Sequence, residues 1–163
     1  MPMPFTRYKY PKAIILLCCF CSLIAACDTA GQIGDTANFK TSHPILEVAI
    51  DSLYAQHPEY KTPQKWAQYN SLAIKPLPYM FKKIFYFKSN PEEMYYVSLI
   101  DDSVMTGDTS QTGLAIRAVY RGGGWLQEDK FNYKEQKQIQ RRFNKEIISK
   151  LKGYTKAKVY MEE

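Results

Sequence analysis

The sequence predicts an α+β fold, an antiparallel sheet of three to five strands covered by N-terminal and C-terminal helices. Three observations carry it. Apolar residues recur with helical period near both ends of the domain, between 42–57 and 132–153. Between them lie runs rich in Phe, Ile, Val and Tyr, broken by turn residues. Aromatic residues are abundant throughout, with 13 Tyr, 8 Phe and 2 Trp, which fits a packed sheet and not disorder.

Each element has a local reason. Pro44 suits the first turn of a helix with Ser42 or His43 as cap. Leu46, Ala49, Ile50 and Leu53 then form one stripe that stops before Pro58. Thr62-Pro63 marks a second, shorter helix through Trp66 and Tyr69, ended by the Lys75-Pro-Leu-Pro78 segment. Phe81 to Lys88 is apolar on both faces and reads as an interior strand. Ser89 to Glu93 turns the chain into a returning strand, Met94 to Ile100. Leu114, Ile116, Ala118 and Tyr120 alternate with Ala115, Arg117, Val119 and Arg121, a strand with one wet face. Gly122-Gly-Gly124 turns into Trp125-Leu126, a short fourth strand. Asn132 and Glu135 have capping-box spacing, and Ile139, Phe143, Ile147 and Leu151 form a slowly drifting stripe, with Gly153 as the stop. Tyr154 to Met161 can add a terminal strand. This element order resembles cone-shaped rolls of the nuclear-transport-factor-2-like or cystatin-like kind, a likeness of order that carries no function.

The first residues are of a different kind. Arg7, Lys9 and Lys12 precede an uncharged run from Ala13 to Ala26, the basic and apolar regions of a secretory signal. As a helix, the run spans only about 21 Å against a hydrocarbon core of about 30 Å, so export is favoured over a retained anchor. It ends in Ile24-Ala25-Ala26-Cys27, which resembles the lipobox of bacterial lipoproteins. That resemblance implies diacylglyceryl transfer to the Cys27 sulfur, cleavage before Cys27, and stable attachment by two or three acyl chains such as palmitate. Residues 1–26 are then a lipoprotein signal peptide, 27–41 a lipidated N-terminus and flexible tether, and 42–163 a single α+β domain. A palmitoylation site at Cys18 and Cys19 is the alternative, but both lie inside the apolar run. Asp28 resembles the inner-membrane retention residue of enteric bacteria; cell membrane and outer membrane both stay open.

Removal of residues 1–26 leaves 137 of the 163 residues, enough for one domain with a core. It also removes Cys18, Cys19 and Cys21, so the exported part has neither a disulfide nor a thiolate metal site. The remaining side chains are 19 basic and 16 acidic, a net charge too mild to argue for nucleic acid.

Candidate chemistry is sparse. His43 and His57 lie at opposite ends of the first helix, about 21 Å apart, and cannot share one ion. Asp101, Asp102 and Asp108, with Ser103, Thr106, Thr109 and Ser110, make an oxygen-rich loop whose spacing is not that of an EF-hand. Glu92 and Glu93 point apart in extended chain and do not form an acid/base pair. The glycine run lacks the lysine and hydroxyl of a P-loop. The last helix carries Lys134, Lys137, Arg141, Arg142, Lys145, Lys150 and Lys152, which suit either anionic lipid or a solvated face neutralised through Glu146.

No catalytic, metal or cofactor residues emerge, and Cys27 is the one assigned site. The function expected is that of a membrane-anchored lipoprotein at the cell envelope, non-enzymatic, binding a protein partner or ligand through an exposed apolar or aromatic patch. The competing expectation is a hydrolase or metal-binding protein using the Asp101–Asp108 loop, which requires titratable groups converging in a pocket.

Overall fold

The computed structural model describes residues 31–71, 80–101, 103 and 107–162. Cys27, the Lys75–Pro78 segment, Asp102 and Thr106 lie outside the described residues. The described chain is α+β with an antiparallel sheet. The sheet has six strands, one more than the upper bound expected: β1 (Thr36–Phe39), β2 (Met80–Phe87), β3 (Glu93–Asp101), β4 (Thr112–Arg121), β5 (Gly124–Leu126) and β6 (Val159–Glu162). Their order is β2-β3-β4-β1-β6, with β5 hanging on β4, and every pair is antiparallel.

The additional strand corrects the reading of residues 27–41 as tether. β1 lies between β4 and β6, pairing Ala37 with Leu114 on one side and with Met161 on the other. Ala37 and Phe39 are buried, as is Ile33, whose N–H donates to the Ile116 carbonyl at 2.8 Å. The folded domain therefore begins well before residue 42. The segment reads as polar because its three core residues are widely spaced, and because Gly34, at φ +73°, turns the chain between them. Gly34 also sits tight beneath Gln140, where any added Cβ would collide with the amide.

β2 is a correction of another kind. It lies at the sheet edge, although Phe85 and Phe87 on one side and Tyr86 on the other are all buried. Lys82 and Lys83 mark it as an edge, a common guard against further strand pairing. Lys83 reaches Glu47 at 3.3 Å on the first helix.

β4 does not have one wet face. Between the pairs Tyr96↔Ala118 and Val97↔Ile116 the register passes over Arg117, a bulge that changes which side of the sheet the following residues face. Leu114, Ile116 and Val119 thus share the main core, while Tyr120 joins Tyr86 and Met94 on the opposite side with Trp66 and Trp125 against them.

Helix α1 (His43–Gln56) follows its stripe: Leu46, Ala49, Ile50 and Leu53 are buried, with Ser42 as an extended N-cap. The second expected helix is a 3-10 segment, Gln64–Ser71, opened by a bond from the Trp66 N–H to the Pro63 carbonyl at 2.8 Å. The last helix consists of α2 (Tyr133–Phe143), a π-helical turn (Asn144–Ile148) and α3 (Ser149–Thr155). Its capping box forms in both directions, at 3.0 and 3.1 Å. Core residues four apart drift about 40° per step on an α-helix; the wider π turn takes up part of that drift, and Ile139, Phe143, Ile147 and Leu151 are all buried. The helix runs past Gly153 and ends at Lys156, which adopts φ 53°.

Phe143 touches Phe85 and Tyr95 at ring separations of 5.8 and 6.3 Å, and Tyr54 of α1 touches Phe85 at 5.5 Å, so residues of both helices share one core with the strands. A chain beginning at Ser42 is expected to lose cooperative thermal unfolding, because β4 and β6 lose the strand between them. A chain beginning at Gly31 should keep it. Circular-dichroism melts of the two distinguish these outcomes, and a cooperative melt for the shorter chain would contradict a structural role for β1.

Candidate functional site

The most buried charge on the sheet belongs to Glu93, the first residue of β3, which is 7% exposed. Its Oε1 accepts from Arg121 Nε at 2.7 Å, and its Oε2 from Arg142 Nη1 at 3.1 Å and from the Tyr95 hydroxyl at 3.3 Å. Arg142 continues to Ser89 Oγ at 3.2 Å and to Glu146 at 2.9 Å, and lies over the Phe87 ring. Arg121 lies over Phe131 and reaches Glu135 at 3.7 Å. Burial, reinforced by the Glu93 charge, pushes the Tyr95 hydroxyl well above its ordinary range. Burial works against the charge of Arg142, but its carboxylate neighbours outweigh that and hold its proton more tightly. With both oxygens occupied by cations and a hydroxyl, this carboxylate is a clamp between β3, β4 and α2, not a base awaiting substrate.

Glu92 points elsewhere, as extended chain requires. It accepts from Lys65 at 2.7 and 2.9 Å, from the Tyr86 hydroxyl at 2.8 Å and from Trp66 Nε1 at 3.3 Å. The hydrogen bonds from Lys65 and Tyr86 hold its carboxyl below the usual carboxylate range. Burial, then the bond to Glu92, pushes the Tyr86 hydroxyl up to about 12.

The two histidines are at the start of α1 and just beyond its end. His43 is buried and stacked on Phe81 at 4.1 Å, and its Nε2 has no hydrogen-bond partner among the described residues. His57 Nδ1 lies 3.0 Å from Glu59 Oε1. In the oxygen-rich loop, Asp101 and Asp108 each accept from a backbone N–H two residues on, Ser103 at 2.9 Å and Ser110 at 2.7 Å. Hydrogen bonds from Ser103 and Ser110 hold these carboxyls below their ordinary value, with a smaller contribution from His43 at Asp101. His43 and Asp101 are therefore brought near one another. Among the described residues, no three His, Cys, Asp or Glu side chains gather as a metal site. Gly122 and Gly123, at φ 64° and 109°, make the turn into β5 that their conformational freedom suits.

Three concave surfaces remain, one of them a basic hollow of about 380 Å³ lined by Tyr54, Lys61, Lys82 and Lys83. A groove of about 660 Å³ lies between β1, β6 and the start of α2, and includes Gln32, Asp35, Asn38, Gln136 and Lys137. Asp35 and Lys137 are 3.6 Å apart within it. A groove of about 380 Å³ on α1 is lined by Ile45, Val48, Ala49 and Tyr154, with Ser52 and Gln56 at its polar side. Ile45 is 53% and Val48 66% exposed, and no charged side chain lines it. Its signal in the sequence is that Ile45 and Val48 fall off the buried stripe of α1 and are apolar all the same.

Glu93→Gln should destabilise the fold by about 2–3 kcal/mol, because two partly hydrated guanidinium groups lose their shared carboxylate. Urea unfolding checks this; a change within error would show the clamp to be dispensable. The opposite side of the sheet should respond to pH at both ends. Tyr86 has a folded value above its ordinary 10.0, so its contribution is full below pH 10 and is lost as the pH rises toward about 12. Glu92 is lowered, so its contribution is present above the ordinary carboxylate value and lost as the pH falls through its folded value. Tyr86→Phe should flatten the alkaline decline in melting temperature and leave most of the acid decline.

Comparison with family models, with curated proteins and with solved structures returns no match for this chain, so the likeness of element order to cone-shaped rolls is carried no further.

Proposed function

We propose that the chain is a membrane-anchored bacterial lipoprotein whose domain binds an envelope protein and has no catalytic activity of its own. The anchoring half rests on Ile24-Ala25-Ala26-Cys27, with lipid on the Cys27 sulfur and the domain facing the periplasm or the cell surface. In this reading α1 and the last helix cover one face of the sheet and turn their outer sides to the envelope. The observation that carries the binding half is the α1 groove, where Ile45 and Val48 expose apolar surface beside Tyr154. Its uncharged lining suits an apolar, uncharged segment of the partner, and a salt-bridging partner would find nothing to pair with there. The competing hydrolase or metal-binding reading is the weaker, because Asp101 and Asp108 each spend an oxygen on their own turn.

The anchor is tested by mass spectrometry of the membrane fraction. The expected result is a mature chain starting at an acylated Cys27, and Cys27→Ser should release the protein from the membrane. An intact Met1 or an unmodified Cys27 sinks this half. For the groove, a photo-crosslinker at Val48 should give one discrete adduct in cells, which Ile45→Asp abolishes without lowering the melting temperature. Adducts no different from those at an exposed position outside the groove, such as Lys61, would reject the assignment.

A further inference from the structure

The basic residues of the last helix divide into two groups that the sequence does not separate. Arg142 and Lys150 face inward or along the flank: Arg142 binds Glu93 and Glu146, and Lys150 donates to the Tyr60 hydroxyl at 3.3 Å and to the Glu146 carbonyl at 3.1 Å. Lys137 is held near Asp35. The two acids of this helix are committed to the same flank, Glu135 near Arg121 and Glu146 on Arg142. Lys134, Arg141, Lys145, Lys152 and Lys156 are left, all exposed, with Gln138 and Ser149 between them and no acidic side chain in the series. All five are exposed while Ile139, Phe143, Ile147 and Leu151 of the same helix are buried, so the cations lie on its outer side. None of the five is in an ion pair or side-chain hydrogen bond among the described residues. Glu146, the residue expected to neutralise this face, does not lie on it.

We infer that this ridge rests on an anionic lipid surface, which makes the last helix the membrane-facing side of the domain. The inference rests on the lipoprotein reading and adds an orientation to it. Where the chain arrives from the anchor supports it. Gly31, the first described residue, lies against Glu128 just ahead of the last helix, where an added Cβ would be 3.6 Å from the carboxylate. Asp35 reaches Lys137 at 3.6 Å. From Cys27 to Gly31 the backbone can extend at most about 14 Å, so the lipid is held close to the head of the ridge. The acids at this end are Asp35, Glu128, Asp129 and Glu162, of which Asp35 is near Lys137, Asp129 is paired with Lys130 at 2.7 Å and Glu162 accepts from Asn38 at 2.7 Å. A row of unpaired cations about 33 Å long, none of which lines any of the three concave surfaces, matches a flat field of headgroups better than a shaped acidic protein.

The test uses the lipidated full-length product in phosphatidylcholine vesicles with and without phosphatidylglycerol. Lysines are acetylated and quantified by mass spectrometry, with Lys65, which lies beside Trp66 on the other side of the sheet, as reference. Lys134, Lys145, Lys152 and Lys156 should label several-fold more slowly, relative to Lys65, only when phosphatidylglycerol is present, and high salt should restore their rate. In the combined Arg141→Gln, Lys145→Gln, Lys152→Gln variant, Lys134 and Lys156 should regain their fast labelling, each lost cation weakening the contact on the order of fivefold. Equal labelling in both vesicles overturns the inference, as does protection that high salt leaves intact. Protection seen in native envelopes but not in vesicles overturns it too, and assigns the ridge to a protein. The same digest reads the mass of the Cys27 peptide: acylated Cys27 with an unprotected ridge fails the orientation alone, whereas unmodified Cys27 fails the anchor.

Discussion

Glu93 is the point at which three elements of the fold share one buried carboxylate. The β2–β3 hairpin, β4 and α2 each contribute a group to this one carboxylate: Ser89 through Arg142, Arg121, and Arg142 itself. Burying a lone carboxylate is costly, and two guanidinium groups with a tyrosine hydroxyl offset that cost only if all three arrive together. The clamp therefore contributes more to specifying the arrangement than to net stability. It also decides the fate of the helix's charges. Because Arg142 turns inward to Glu93, Glu146 follows it at i,i+4, and Lys150 follows Glu146. The paired flank continues this clamp along the helix, while the unpaired cations lie on its outer side.

Local chemistry made much of the fold legible in the sequence. Pro44, the Asn132–Glu135 capping box, the glycine turn and the stripes of both helices each depend on neighbours a few residues away, and each formed as read. What was not legible depends on partners far along the chain. β1 has only two apolar side chains in four residues, and its burial comes from β4 and β6, the latter more than a hundred residues later. The edge position of β2 and the Arg117 bulge are likewise properties of pairing, which hydrophobic pattern alone does not encode. The role of Glu93 was invisible for the same reason. Its partners are 28 and 49 residues away, and the turn sequence around it is that of an ordinary hairpin.

The surface features were partly legible. Counting charges identified a basic helix, and i,i+4 spacing correctly paired Arg142 with Glu146. Spacing could not show that those pairs lie on the flank, because that is set by how the core stripe meets the sheet. A π turn within the helix moves the register of every residue after it, so Lys152 and Lys156 can be placed only once the turn is known. The α1 groove depends equally on tertiary contact, since Tyr154 from the other helix forms one of its sides and donates to Gln56 at 2.9 Å.

The anchor, the ridge and the groove constrain one another. Tyr154 is two residues from both Lys152 and Lys156, so the α1 groove lies level with the far end of the ridge along the helix axis but on another side of the helix. A domain lying with its ridge on headgroups would hold that groove a helix diameter, about 10 Å, from the membrane surface. An apolar, uncharged recognition surface at that height favours a partner that is itself membrane-bound, since both are then confined to the same plane and their effective concentration rises without any added contact. The modest size of the groove becomes understandable on this basis. A groove of about 380 Å³ offers a partner few contacts, and confinement of both proteins to one bilayer would lessen what each contact must supply.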